Sequence, residues 1–282
     1  MDPIAFGLVT LVAAVLAGML GSLLGLGGGI IVIPVLTLLL GIDIHYAIGA
    51  SIISVIATSS AAAAAYVRNQ ITNLRIGLFL VTATTLGAVT GATVGGLIGG
   101  RALYVIFAGV LGYSAIMMFR RRHADLSESV PNHPWSERLR LAGEYPDVSL
   151  GRKVRYNVAG VPLALGLMYV AGVVSGLLGI GSGALKVPAM DLAMRLPIKV
   201  SSATSNFMIG VTAAASAGVY FARGDIVPFI VAPVALGVLL GATLGARAMS
   251  RLHGLLIRQL FILVLFVISL EMALKGLGVS LY

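Results

Sequence analysis

Ala17-Gly18-Met19-Leu20-Gly21-Ser22-Leu23-Leu24-Gly25-Leu26-Gly27-Gly28-Gly29 closes the first long apolar run of this chain. A near copy closes a later one: Ala171-Gly172-Val173-Val174-Ser175-Gly176-Leu177-Leu178-Gly179-Ile180-Gly181-Ser182-Gly183. Seven of the thirteen pairs are identical at a constant offset of 154. The same offset pairs Pro34 with Pro188, Ser51 with Ser205, Thr58 with Thr212 and Tyr66 with Tyr220. A second glycine pattern, Gly87/Gly91/Gly95, returns as Gly237/Gly241/Gly245 at an offset of 150. Two blocks in the same order, each at the same place in its half, point to an internal duplication. In each half the first block leads into a short apolar segment, Ile30–Leu40 or Ala184–Met194. Eleven residues rise only ~16 Å as a helix, about half of a ~30 Å hydrocarbon core. Glycine admits unusual dihedrals and proline removes an N–H, so these segments read as broken or re-entrant helices.

Outward from these blocks the chain is apolar almost throughout. Of its 282 residues 59% are hydrophobic and 10% charged, where a soluble domain carries about 25% charged. Mean hydropathy is +1.03. A soluble enzyme and a disordered chain are excluded. Longer apolar runs lie near Ile4–Leu24, Ala47–Val67, Ile76–Leu97, Leu103–Phe119, Val158–Leu178, Val200–Phe221, Val227–Ala246 and Leu255–Leu274. Runs such as Ile262–Ile268 do not alternate apolar with polar, so a β-barrel is excluded. The expected fold is an all-α polytopic membrane protein of two inverted-topology repeats, about five segments each. These are residues 1–119 and 157–282, joined by a polar loop at 120–156. Within that loop Trp135–Leu141 is expected to form a short surface helix, and the loop as a whole to act as a plain connector. Met1-Asp2-Pro3 lacks the basic start of a secretory signal, so the first helix is expected to be retained.

The orientation follows from the basic residues, because cytoplasmic loops are enriched in Lys and Arg. With the central loop inside, it and the other inside loops hold fifteen of the nineteen Lys and Arg. They include Arg68, Arg75, Arg195, Lys199, Arg247, Arg251 and Arg258, while only Arg101, Arg223 and Lys275 fall outside. Equivalent loops of the two halves swap character, as opposite orientations require. Both termini are therefore expected outside the cytoplasm. The net charge of +9 orients the helices and gives no reason to expect a nucleic-acid partner. There is no cysteine, which excludes disulfides, thiolate metal sites and cysteine nucleophiles. The spacing shows no zinc-protease helix, nucleophile elbow or Walker loop, and no enzyme activity, metal or cofactor is expected. Gly25-x-Gly27-Gly28-Gly29 follows a membrane helix rather than a strand, so it is not a dinucleotide loop.

Inverted repeats with interrupted helices are the mark of secondary transporters, whose site lies near the midplane where the halves meet. The candidate substrate-binding residues are Gly27, Gly28, Gly29 and Pro34 in one half and Gly181, Ser182, Gly183 and Pro188 in the other. Helices starting after such turns would aim N–H groups at an anion. Lys186 stands where the first half has Val32, and a lysine at membrane depth costs at least ~2.5 kcal/mol on insertion scales. It either supplies charge for an anionic substrate, or snorkels to a surface or pairs with Asp191. Ser51, Ser54, Ser205 and Asn206 are candidate hydrogen-bond partners of substrate, against the alternative that they bond helix carbonyls. Asp191 is a candidate proton-coupling residue. The glycine stripes on the later helices read as close-packing faces. Besides a carrier, an anion channel and a sensing or assembly subunit without transport remain open.

At these residues the chain resembles the sulfite exporter TauE/SafE family, also called the toluene sulfonate uptake permeases. The resemblance rests on Gly25-Leu26-Gly27-Gly28-Gly29 with Pro34, its echo Gly179-Ile180-Gly181-Ser182-Gly183 with Pro188, and the Ala/Ser/Thr-rich helices that follow. It implies movement of a small sulfur-containing anion, sulfite or an organosulfonate, across a bacterial inner membrane without ATP. The family pattern often has Gly-Thr-Ser in the helix after each short segment, whereas this chain has Gly49-Ala50-Ser51 and Ala203-Thr204-Ser205.

Overall fold

A computed structural model describes residues 3–120, 133–148, 150–181 and 183–278. Ser182, Arg121 and Arg122 lie outside the described residues. The first half runs α1 (Pro3–Leu24), α2 (Gly29–Pro34) continuing as a π-helical turn (Val35–Leu39), α3 (Ile44–Arg68), α4 (Leu74–Gly95) and α5 (Gly100–Arg120). Then come α6 (Pro134–Arg138) and two strands, β1 (Gly143–Asp147) and β2 (Arg152–Tyr156). The second half runs α7 (Val161–Leu178), α8 (Gly183–Leu192), α9 (Ile198–Ala222), α10 (Pro228–Arg251) and α11 (Gly254–Gly276).

Seven of these helices, α1, α3, α4, α5, α7, α10 and α11, are long and apolar enough to cross a membrane. Helix α9 is as long as α3, but its first turns carry Lys199, Ser201, Ser202, Thr204, Ser205 and Asn206, all buried. Their polarity is spent inside the protein. Local chemistry sets the helix starts. Asp43 accepts from the His45 N–H ahead of α3, Asn73 accepts from the Ile76 N–H ahead of α4, and Pro162 and Pro228 stand in the first turns of α7 and α10. Each arrangement satisfies or removes an otherwise orphan donor.

The halves are interleaved. Helix α1 packs along α10, α7 along α4, α3 against α9, and α5 against α11. The glycine stripes sit at the α1–α10 and α4–α7 crossings, as close-packing faces should. A Cβ on Gly87 would meet the Tyr169 carbonyl and the Val173 amide, and one on Gly241 the Val15 carbonyl and the Met19 amide. Those partners are themselves 154 residues apart. In space Gly87 therefore corresponds to Gly241 and Gly91 to Gly245, one helical turn from the 150-residue pairing read off the sequence. Gly18 against Val238 and Gly172 against Thr84 obey the same offset. The spacing of 154 thus holds through the whole interface.

The polar connection is more structured than a plain connector. Its helix α6 overlaps the expected stretch, starting one residue earlier and ending at Arg138, and β1 and β2 form an antiparallel hairpin. Tyr145, Val154, Tyr156 and Leu141 are buried. The Asn73 amide donates to the Leu141 carbonyl at 2.8 Å and to the Tyr156 hydroxyl at 2.9 Å. Lys199 at the start of α9 bonds the buried Asp147 carboxylate at 2.7 Å. Burial and the neighbouring Asp147 charge push the Tyr145 phenol up, so it stays a neutral donor to that carboxylate at 3.2 Å. The hairpin therefore ties the start of α4 to the start of α9.

Candidate binding site

Both glycine blocks become sharp turns in the positive-φ region, Gly25, Gly27 and Gly28 in one half and Gly179 and Gly181 in the other. A side chain there would be strained. Gly27 and Gly181 both pack on the same two side chains, Val55 of α3 and Ile209 of α9. Val55 and Ile209 are 154 residues apart, so residues at equivalent places in the two halves bring the two turns together. In this conformation the two side chains fill the space between the turns.

Breaking a helix frees carbonyls that need donors, and here each half supplies the donor for the other. The Ser51 hydroxyl donates to the Gly179 carbonyl at 2.8 Å, and the Ser205 hydroxyl donates to the Gly25 carbonyl at 2.9 Å. Below them the Tyr66 hydroxyl donates to the Ser22 carbonyl at 2.9 Å and Tyr220 to the equivalent Gly176 carbonyl. Ser54 donates to the Ser51 carbonyl within its own helix. The sequence candidates Ser51 and Ser205 thus lie at the meeting point of the turns, where their protons close the glycine breaks. Ser51→Ala and Ser205→Ala are each expected to cost about 1–3 kcal/mol, the penalty of a buried carbonyl left unpaired. Thermal unfolding in detergent should show two similar losses, and a loss in only one variant would break the equivalence.

Lys186 of α8 is fully buried. Its ammonium donates to the Thr212 hydroxyl at 2.9 Å, the one partner it has among the described residues. Thr212 itself donates to the Met208 carbonyl at 2.8 Å and lies 3.1 Å from the Thr84 hydroxyl. An ammonium has three donors, and among the described residues no carboxylate bonds this one. Asp191, the anticipated alternative partner, instead binds Arg258 of α11 at 2.8 Å. Arg258 is thus a buried ion-pair member and not a loop charge. Thr212 stands one turn beyond Ile209 on α9, which places Lys186 next to the meeting point of the turns. On the other side, the Asn206 amide donates to the Ser22 carbonyl at 2.7 Å. Its carbonyl oxygen, with the Ser201 and Ser202 hydroxyls, has no hydrogen-bond partner among the described residues.

Pro34 and Pro188 lie inside α2 and α8, past the turns, and Gly29 and Gly183 begin those helices. Gly28 lies against the Thr58 hydroxyl. Thr84, Thr212, Ser201 and Ser202 also lie in this region and were not among the sequence candidates. Thr212 alone carried a signal, its repeat partner Thr58.

Short helices broken at glycine, an interleaved helical body and a buried lysine with only a hydroxyl beside it among the described residues define a polytopic membrane protein with a candidate polar site in its interior. The profile of the Sulfite exporter TauE/SafE family matches residues 10–272, and the chain belongs to that family of membrane transporters. It is 27% identical over 279 residues to the probable membrane transporter protein YunE of Bacillus subtilis (strain 168), covering 95% of this chain and 98% of that one. A probable membrane transporter protein of Xylella fastidiosa (strain 9a5c) is 28% identical over 250 residues, 86% of this chain and 85% of the other. YdhB of Bacillus subtilis (strain 168), also a probable membrane transporter protein, is 28% identical over 233 residues, 82% and 86% of the two chains. No solved structure matches the chain.

Proposed function

We propose that this protein is a secondary transporter that moves a small sulfur-containing anion, sulfite or an organosulfonate, across the inner membrane by alternating access. The observation that carries this reading is Lys186, a buried ammonium with a hydroxyl and no carboxylate beside it among the described residues. A buried charge is stable when paired, and a substrate anion is the missing partner. The backbone N–H of Gly28, those of Gly27 and Gly29 once released from the Gly21 and Gly27 carbonyls they bond here, and the turn at Gly181–Gly183, with Ser51, Ser54, Ser205 and Asn206, surround the anion when the turns part. Pro34 and Pro188 hold the helix starts behind them.

The two repeats, 1–119 and 157–282, stand in opposite orientations with both termini outside the cytoplasm. The skew of basic residues supports this, as do contacts that recur at an offset of 154. Opening one face while closing the other amounts to moving Val55 and Ile209 relative to the glycine turns. Asp191 serves coupling through its pair with Arg258, which protonation of the carboxyl would weaken.

The test is uptake into proteoliposomes of sulfite, sulfate, thiosulfate and sulfonates, with and without a pH gradient. Saturable flux with counterflow is expected for at least one sulfur-containing anion. Flux that neither saturates nor shows counterflow would indicate a channel, and no flux of any of them would overturn the assignment.

A further inference from the structure

Away from the glycine turns, a groove of about 620 Å³ opens on the flank between α5, α7 and α8. Its walls are apolar, with Tyr113 and Met117 from α5, Leu167 and Val170 from α7, and Ala189 from α8. That volume lies within the roughly 300–1,000 Å³ of small-ligand sites. Tyr113, Leu167 and Val170 are exposed on a surface that faces the bilayer, so hydrocarbon has direct access.

Two observations give the groove a polarity that plain lipid contact lacks. Ser114 lines it, is almost wholly buried, and its hydroxyl has no hydrogen-bond partner among the described residues. At one end stand exposed cations. Arg120 lies one helical turn beyond Met117 on the same face of α5, and Arg195 follows Ala193, which lines the groove. An amphiphile with an acyl chain, a hydrogen-bond acceptor a short way along it and an anionic head matches this sequence of surfaces. Basic side chains beside a bilayer attract anionic headgroups at about 1 kcal/mol each.

We propose that this groove is a binding site for an anionic glycerophospholipid, its acyl chain along α5 and α7, its ester carbonyl accepting from Ser114 and its phosphate between Arg120 and Arg195. The acyl chain lies against α8, the helix that carries Lys186. The proposal stands on the groove and its charges and does not depend on which substrate is carried.

The test is native mass spectrometry of the full chain released from nanodiscs made of equal phosphatidylglycerol and phosphatidylcholine. The wild type is expected to retain phosphatidylglycerol selectively. Gly109→Phe fills the groove from a position where an added Cβ meets no atom within 4 Å, so the variant should fold. It is expected to lose the bound lipid. Arg120→Gln and Arg195→Gln should each reduce headgroup preference roughly fivefold while still retaining lipid. Retention of the same lipid with the same preference in Gly109→Phe, or no selective retention by the wild type, would overturn the site.

Discussion

Lys186→Met is expected to cut saturable anion flux in proteoliposomes at least tenfold at limiting substrate while leaving the protein as stable as before, or more so. Methionine keeps the length and flexibility of the lysine stem, so the α8–α9 contact is retained. What goes is an ammonium whose one partner among the described residues is the Thr212 hydroxyl. Removing a hydrogen bond to a charged group is worth about 1.5–3 kcal/mol, a fall of about 10- to 150-fold in transport at limiting substrate. Thr212 accepts from Lys186 and donates to the Met208 carbonyl, so Thr212→Val should show a smaller loss in the same direction. Flux and thermal unfolding are read on the same preparation. Full activity in Lys186→Met would remove the anion site from this place, and a large drop in stability would make the lysine structural.

The largest stability effect is expected at the helix crossings. In Gly91→Val the new side chain would fall on the Val173 carbonyl, and in Gly241→Val on that of Val15. The obstacle is backbone on a facing helix and cannot rotate away, so α4–α7 or α1–α10 has to separate along its length. Each substitution should cost more than about 4 kcal/mol, in the range reserved for disrupted cores. Recovery of monodisperse protein should fall to near nothing. Gly166→Ala and Gly218→Ala are the controls, because an added Cβ meets nothing within 4 Å at either. They should be neutral, or gain up to about 1 kcal/mol of helix propensity. Equal behaviour of Gly91→Val and Gly166→Ala would mean that the crossing is looser than its contacts imply.

The architecture was legible because membrane helices announce themselves by length and hydropathy, and because Gly25–Gly29 and Gly179–Gly183 mark breaks that other residues would not tolerate. The later glycine stripes were placed one turn out, since a repeat every four residues aligns with itself at several offsets. Only the facing backbones, Tyr169 against Gly87 and Val15 against Gly241, fix the register. The hairpin was hidden because Gly143–Asp147 and Arg152–Tyr156 bury only Tyr145 and Asp147, and Val154 and Tyr156. That is too short an alternation, with a proline and three basic residues, to read as sheet. At the site, residue types pointed to the right helices but not to their partners. Ser51 and Ser205 were candidates for substrate, yet their protons go to carbonyls in the opposite half, a pairing across 128 and 180 residues that no local pattern records. Arg258 looked like a topology signal because its partner, Asp191, lies 67 residues away.

The reciprocal serine bonds also set an order of events during synthesis. The Gly25 carbonyl waits for a hydroxyl 180 residues downstream, and the α1 face that carries Gly18 waits for α10. The first half therefore leaves the ribosome without the means to finish itself, and its glycine turns stay open until the second half has entered the bilayer. A half-length chain would find a donor for Gly25 only on another copy, whose Ser51 would stand where Ser205 stands here.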